Sequence, residues 1–125
     1  MILVDTSIWI EHLRSGYPEL ERCLGAGRVL GHPWVTGELA LGHLDQREAI
    51  VALLHGLPQA EVATPSEVLA LSNGQRLYGT GIGYVDAQLI AATMITAEAS
   101  MLWTADRRLG SAASELGYAY VEAGS

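Results

Sequence analysis

Two short apolar runs do most to limit what this chain can become. Ile2-Leu3-Val4 and Met101-Leu102-Trp103 are too brief for buried helices, and each leads into an aspartate: Asp5 at once, Asp106 after Thr104-Ala105. A continuous apolar run of this length, without alternation, reads as a strand covered on both faces, as strands inside parallel sheets are. Segments of helical spacing separate such runs, so the pattern is α/β with a largely parallel sheet.

Between the runs the punctuation is informative. Thr6 and Ser7 are cap-type residues before a helix whose apolar side holds Ile8, Trp9 and Leu13. Pro18 suits the start of a helix over 18–24, and 28–30 predicts a brief strand. Helices follow over 35–44 and 46–54, the second closed by His55-Gly56 and Pro58. Residues 61–63 predict a strand, and Thr64-Pro65 with Glu67 is a helix entry with cap, proline and acid in order. The stretch 73–83 holds Gly74, Gly79, Gly81 and Gly83 and predicts a loop. Val85, Leu89, Ala92 and Ile95 give a helix over 84–97 one buried stripe. A helix over 106–116 and a last strand over 118–121 complete the order.

Composition narrows the class. Half of the 125 residues are hydrophobic and 17% are charged, which excludes a disordered chain and suits one domain, residues 1–125. Fourteen acids face seven basic residues, every one of them Arg, for a net charge of −7. That balance argues against holding nucleic acid on a broad basic face, though not against meeting RNA locally through bound metal and a few arginines. Cys23 is the sole cysteine, so neither an intrachain disulfide nor a cysteine metal cluster is available. No apolar run approaches the roughly 18 residues of a membrane span, and the first run stops at Asp5, short of a signal peptide. The expectation is a cytoplasmic protein that makes no membrane contact.

Four carboxylates stand where apolar runs end or quiet helices begin: Asp5, Glu38 in Glu-Leu-Ala-Leu, Asp86 in the first turn of the most apolar helix, and Asp106. Strand ends in an open parallel sheet converge on one edge, where ligands bind. Clustered carboxylates repel one another, so such a set calls for a hard, oxygen-preferring cation such as Mg²⁺ or Mn²⁺. Each acid also has a plainer reading: Asp5 and Asp106 as helix caps, Asp86 as a first-turn residue favoured by the helix dipole, Glu38 as a solvated helix residue.

With these residues in view the chain resembles the PIN-domain ribonucleases, and among them the VapC-type toxins of bacterial toxin–antitoxin pairs. The likeness runs along nearly the whole chain, through ILVDTSIWIEHL, HPWVTGELALG, GIGYVDAQLIAA and LWTADRRL in that order. It implies a three-layer α/β/α PIN-like domain with a mainly parallel sheet of four or five strands. It also implies that Asp5, Glu38, Asp86 and Asp106 bind one or two Mg²⁺ or Mn²⁺ ions and cleave single-stranded or loop RNA, leaving 3′-hydroxyl and 5′-phosphate ends. Thr6 and Thr104 match the family's hydroxyl residues beside the acids. The same resemblance implies a homodimer, a VapB-type antitoxin whose C-terminal segment covers the pocket, and a transfer RNA or ribosomal RNA loop as target, with arrest of translation.

Other residues are weighed beside these. Arg107 and Arg108 follow Asp106 and suit bidentate phosphate contact, while Arg14 and Arg76 are further candidates for the rim. The four histidines lack zinc-ligand spacing, and His32 before Pro33 reads as a structural hydrogen-bonding residue. Trp9 and Trp34 are expected to pack in the core or an interface rather than stack on a base. Ser7 has no partners for a serine nucleophile. The glycine loop lacks both phosphate-loop and dinucleotide patterns. Two other classes stay open: a different metal-dependent phosphodiesterase or DNA nuclease, and a non-enzymatic interaction domain whose acids only cap helices.

Overall fold

In the computed structural model, which describes residues 1–75 and 77–122, the apolar run Ile2–Val4 becomes the central strand of a parallel sheet. This strand, β1, lies between β2 (Val29–Leu30) and β3 (Met101–Trp103). Ile2 is in register with Val29 and Met101, and Val4 with Trp103. All three β1 residues are buried, as an apolar run without alternation requires.

Parallel neighbours cannot be joined by a hairpin, so helices make the connections and cover both faces, giving an α/β/α arrangement. In chain order they are α1 (Thr6–Ser15), α2 (Pro18–Gly25), α3 (Pro33–Leu41), α4 (Arg47–Gly56), α5 (Pro65–Gly74), α6 (Tyr84–Ile95) and α7 (Arg107–Glu115). Among the described residues none is long and apolar enough to cross a membrane.

The sheet is smaller than expected. Where strands over 61–63 and 118–121 were anticipated, single parallel bridges extend the two edges instead: Gly31 with Gln59, and Leu102 with Ala119. The reason at the first edge is a side chain. Ala63 donates its N–H to Gln88 Oε1 at 3.0 Å and accepts from Gln88 Nε2 at 2.8 Å, so a buried amide takes the place of a strand neighbour. Gly31 is needed for the bridge it does make, because a Cβ there would sit 2.5 Å from Gln59 Nε2 and 3.0 Å from the Leu54 carbonyl oxygen.

Helix α6 runs through the interior. Ala87 to Thr93 are all buried, a wider apolar surface than the single stripe anticipated. Its polar members are satisfied within the core, Gln88 by Ala63 and Thr93 by the Leu89 carbonyl at 2.8 Å. Helix α5 begins as its sequence predicts, with Thr64 Oγ1 accepting from Glu67 N at 3.1 Å and Glu67 Oε1 accepting from Thr64 N at 2.9 Å. It then continues through Asn73 and Gly74, which were expected in a loop; burial of Val68 and Leu71 outweighs the poor helix propensity of the last turn.

Candidate active site

The carboxyl ends of β1 and β3 lie side by side, and the first acid stands between them. Asp5 leaves β1 with its N–H bonded to the Trp103 carbonyl at 2.9 Å and caps α1 with its side chain. The residue is buried, at 8% exposure, and three donors fix its carboxylate. Oδ1 accepts from Thr6 N at 2.7 Å, while Oδ2 accepts from the Ser7 hydroxyl at 2.9 Å and the Thr104 hydroxyl at 2.7 Å. A buried carboxylate with this many donors cannot swing, which is what a preset ligand needs.

The same hydroxyls reach the other acids. Thr104 Oγ1 accepts the N–H of Asp106 at 3.0 Å, and Ser7 Oγ accepts that of Ala105 at 3.0 Å, so the chain after β3 is stitched to α1. Asp106 caps α7, with Oδ1 accepting from Leu109 N at 2.9 Å. On α3, the exposed Glu38 accepts from the Thr6 hydroxyl at 2.9 Å. Thr6 and Thr104 thus orient carboxylates. Ser7 does so as well and was overlooked as a positioning group; the clue was its place in Asp5-Thr6-Ser7, within reach of a capping carboxylate.

Asp86 lies half-buried in the first turn of α6. Burial, and then the negative charges of Asp5, Asp106 and Glu38 in that order, push its carboxyl above the ordinary aspartate value of 3.8. The charges of all three other acids thus bear on this one side chain. They do not form a closed cage: among the described residues, no group of three or more His, Cys, Asp or Glu is positioned to hold a metal ion. Asp5, Glu38 and Asp106 are each drawn onto a hydroxyl or amide donor. The donor set itself, carboxylate oxygens whose charges burden one another, fits a hard divalent cation.

The surroundings divide by charge and polarity. Arg107 and Arg108 line a cavity of about 290 Å³ with Thr80, Ile82 and Ser111. Arg108 lies so near Gly81 that a Cβ there would stand 2.9 Å from Nη1, and Gly81 has φ +86. On the other side a cavity of about 560 Å³ between α1, α3 and α4 is lined by Ile10, Leu13, Leu39 and Ile50, with Arg14 and Glu38 at its wall. Arg14 also pairs with Glu11 along α1. Arg76, the other rim candidate, lies outside the described residues.

His32 has the structural part its position suggests. It is buried and caps α3, its Nδ1 accepting from Trp34 N at 3.1 Å, so its proton is on Nε2. Burial holds its pKa below the ordinary 6.5. Of the two tryptophans expected in the core or an interface, Trp9 packs in the core at 2% exposure and Trp34 lies outside it at 38%.

No family model matches the chain. Curated relatives do: the proteins named Ribonuclease VapC32 from two strains of Mycobacterium tuberculosis are each 47% identical over 122 residues, covering 98% of this chain and 98% of theirs. An identity of that level along the full length leaves no room for a different fold or a chance likeness of motifs. The chain belongs to the VapC-type toxins of the PIN-domain ribonuclease family.

Proposed function

We propose that this single-domain chain is a Mg²⁺- or Mn²⁺-dependent endoribonuclease toxin that cleaves a transfer RNA or ribosomal RNA loop and so arrests translation. The observation that supports this most is the state of Asp86, a carboxyl burdened by Asp5, Asp106 and Glu38 together. Such a cluster is unfavourable unless a cation is meant to be there. The name Ribonuclease, carried by relatives at 47% identity, supports the substrate class.

Asp5, Glu38, Asp86 and Asp106 are the residues that would hold the metal. A divalent cation bound there supplies a water of lowered pKa and a counter-charge to the phosphoryl oxygens. The chain provides placement. Asp5 is fixed by Thr6, Ser7 and Thr104, and Thr104 ties the position of Asp106 to it. The Thr6 hydroxyl donates to Glu38. Asp86 adds a carboxylate from α6 whose charge the other three disfavour and a cation would neutralise. Arg107 and Arg108 stand one and two residues beyond Asp106, and a guanidinium there suits contact with substrate phosphate.

The partners proposed are those of the family: a second copy in a homodimer and a VapB-type antitoxin. The 560 Å³ cavity supports the antitoxin, since its apolar wall and Glu38 suit a basic amphipathic segment. The test is to map RNA 5′ ends after brief expression of the wild type beside Asp5→Asn. New ends at a recurring RNA site in the wild type alone are expected. The same ends in both, or cleavage of DNA with RNA spared, overturn the reading.

A further inference from the structure

Of the three tryptophans, Trp9 and Trp103 are 2% and 3% exposed, while Trp34 is 38% exposed. It is not alone at the surface. Tyr84, 49% exposed, lies with its ring centroid 5.7 Å away at an interplanar angle of 38°, so the rings meet at a tilt and both residues keep exposed surface. Both belong to helices that carry the acids. Trp34 is four residues before Glu38, one turn back on the same side of α3, and Tyr84 opens α6 two residues before Asp86. The bond from Trp34 N to His32 Nδ1 fixes the turn that presents the indole.

Resting on the ribonuclease reading above, we infer that Trp34 and Tyr84 form a stacking platform for an unpaired nucleobase of the RNA, beside the nucleotide whose phosphate meets the carboxylates. The chain has no Lys and a net charge of −7, so phosphate attraction is a poor source of affinity here. Stacking on a π-face needs no positive charge and accepts any base, and unpaired bases in loops are the ones that proteins read in this way. Trp34 and Tyr84 are thus substrate-positioning residues, and they supply part of the grip that the missing lysines do not.

The test uses the full chain carrying Asp86→Asn, which removes cleavage, with short single-stranded oligoadenylate and an abasic strand of equal length as probes. Oligoadenylate is expected to quench the fluorescence of Trp34. Trp34→Leu and Tyr84→Leu are each expected to weaken its binding about 5- to 150-fold, the range of a lost base–aromatic stack. Trp34→Phe keeps most of the affinity, and binding of the abasic strand is the same in all variants. Unchanged oligoadenylate affinity in both Leu variants overturns the inference. So does a change of particle mass in light scattering with affinity intact, which assigns the pair to a contact between copies. Metal-dependent RNA cleavage by the wild type is scored separately: cleavage without stacking leaves the ribonuclease reading standing alone, and stacking without cleavage does the reverse.

Discussion

Replacing Asp86 with Asn is expected to raise the stability of the metal-free protein while removing its activity. The side chain is half-buried, and burial, Asp5, Asp106 and Glu38 all disfavour its ionised form. Like-charge neighbours of a partly solvated carboxylate cost a few tenths of a kcal/mol each after screening, so the substitution relieves about 1 kcal/mol. In a chain of this size that is a rise in Tm of about 3–5 °C. The sign follows from linkage: the folded-state pKa is raised above 3.8, so the folded protein binds the proton more tightly than the unfolded one. The ionised group is therefore no burden below 3.8 and becomes one as pH rises through the raised value. Thermal unfolding in EDTA at neutral pH should show the gain, and repeating it toward pH 4 should show the gain vanish. Added Mg²⁺ or Mn²⁺ should raise the Tm of the wild type and leave that of Asp86→Asn nearly unmoved. An unchanged or lowered Tm for Asp86→Asn in EDTA at neutral pH refutes the reasoning, because it means the four charges are not felt at one place.

Asp5→Asn should have the opposite effect on stability. It also ends cleavage but lowers Tm, since three donors lose a charged acceptor, a loss of about 1–3 kcal/mol that leaves the domain folded by circular dichroism. Thr104→Val keeps the shape and deletes both the bond to Asp5 and the acceptor for Asp106 N; metal affinity by calorimetry should fall about 10- to 100-fold. Gly81→Ala puts a methyl group against the Arg108 guanidinium at φ +86, so in cleavage assays it should raise KM in the same direction as Arg108→Ala. His32, held neutral by burial, should make the protein lose stability as pH falls from 6.5 toward its lowered folded-state pKa; His32→Asn keeps a cap and should flatten that slope in melts from pH 8 to 5.

What the sequence made legible was whatever depends on near neighbours along the chain. Strands β1 and β3 and the acids after them follow from apolar runs that end abruptly, and the Thr64 capping box is written in four residues. What stayed hidden depends on contacts distant in sequence. The anticipated strand over 61–63 is replaced by hydrogen bonds from Gln88, 25 residues from Ala63. Thr104 reaches Asp5 across 99 residues of chain and meets Ser7 across 97, which no spacing rule foretells. Trp34 beside an apolar run reads as core or interface, and the structure places it outside the core, exposed beside Tyr84. The grouping of the four acids was legible from the topology of a parallel sheet; that Asp5, Asp106 and Glu38 burden Asp86 in particular was not.

Calorimetric titration of Mn²⁺ into the wild type and into Asp5→Asn, Glu38→Gln, Asp86→Asn and Asp106→Asn tests that convergence most directly. A single acid-dependent centre predicts saturable binding in the wild type, weakened in every one of the four variants and restored by none of their neighbours. Wild-type protein that takes up no Mn²⁺, or variants that bind it as the wild type does, contradict the assignment of these carboxylates to one metal centre.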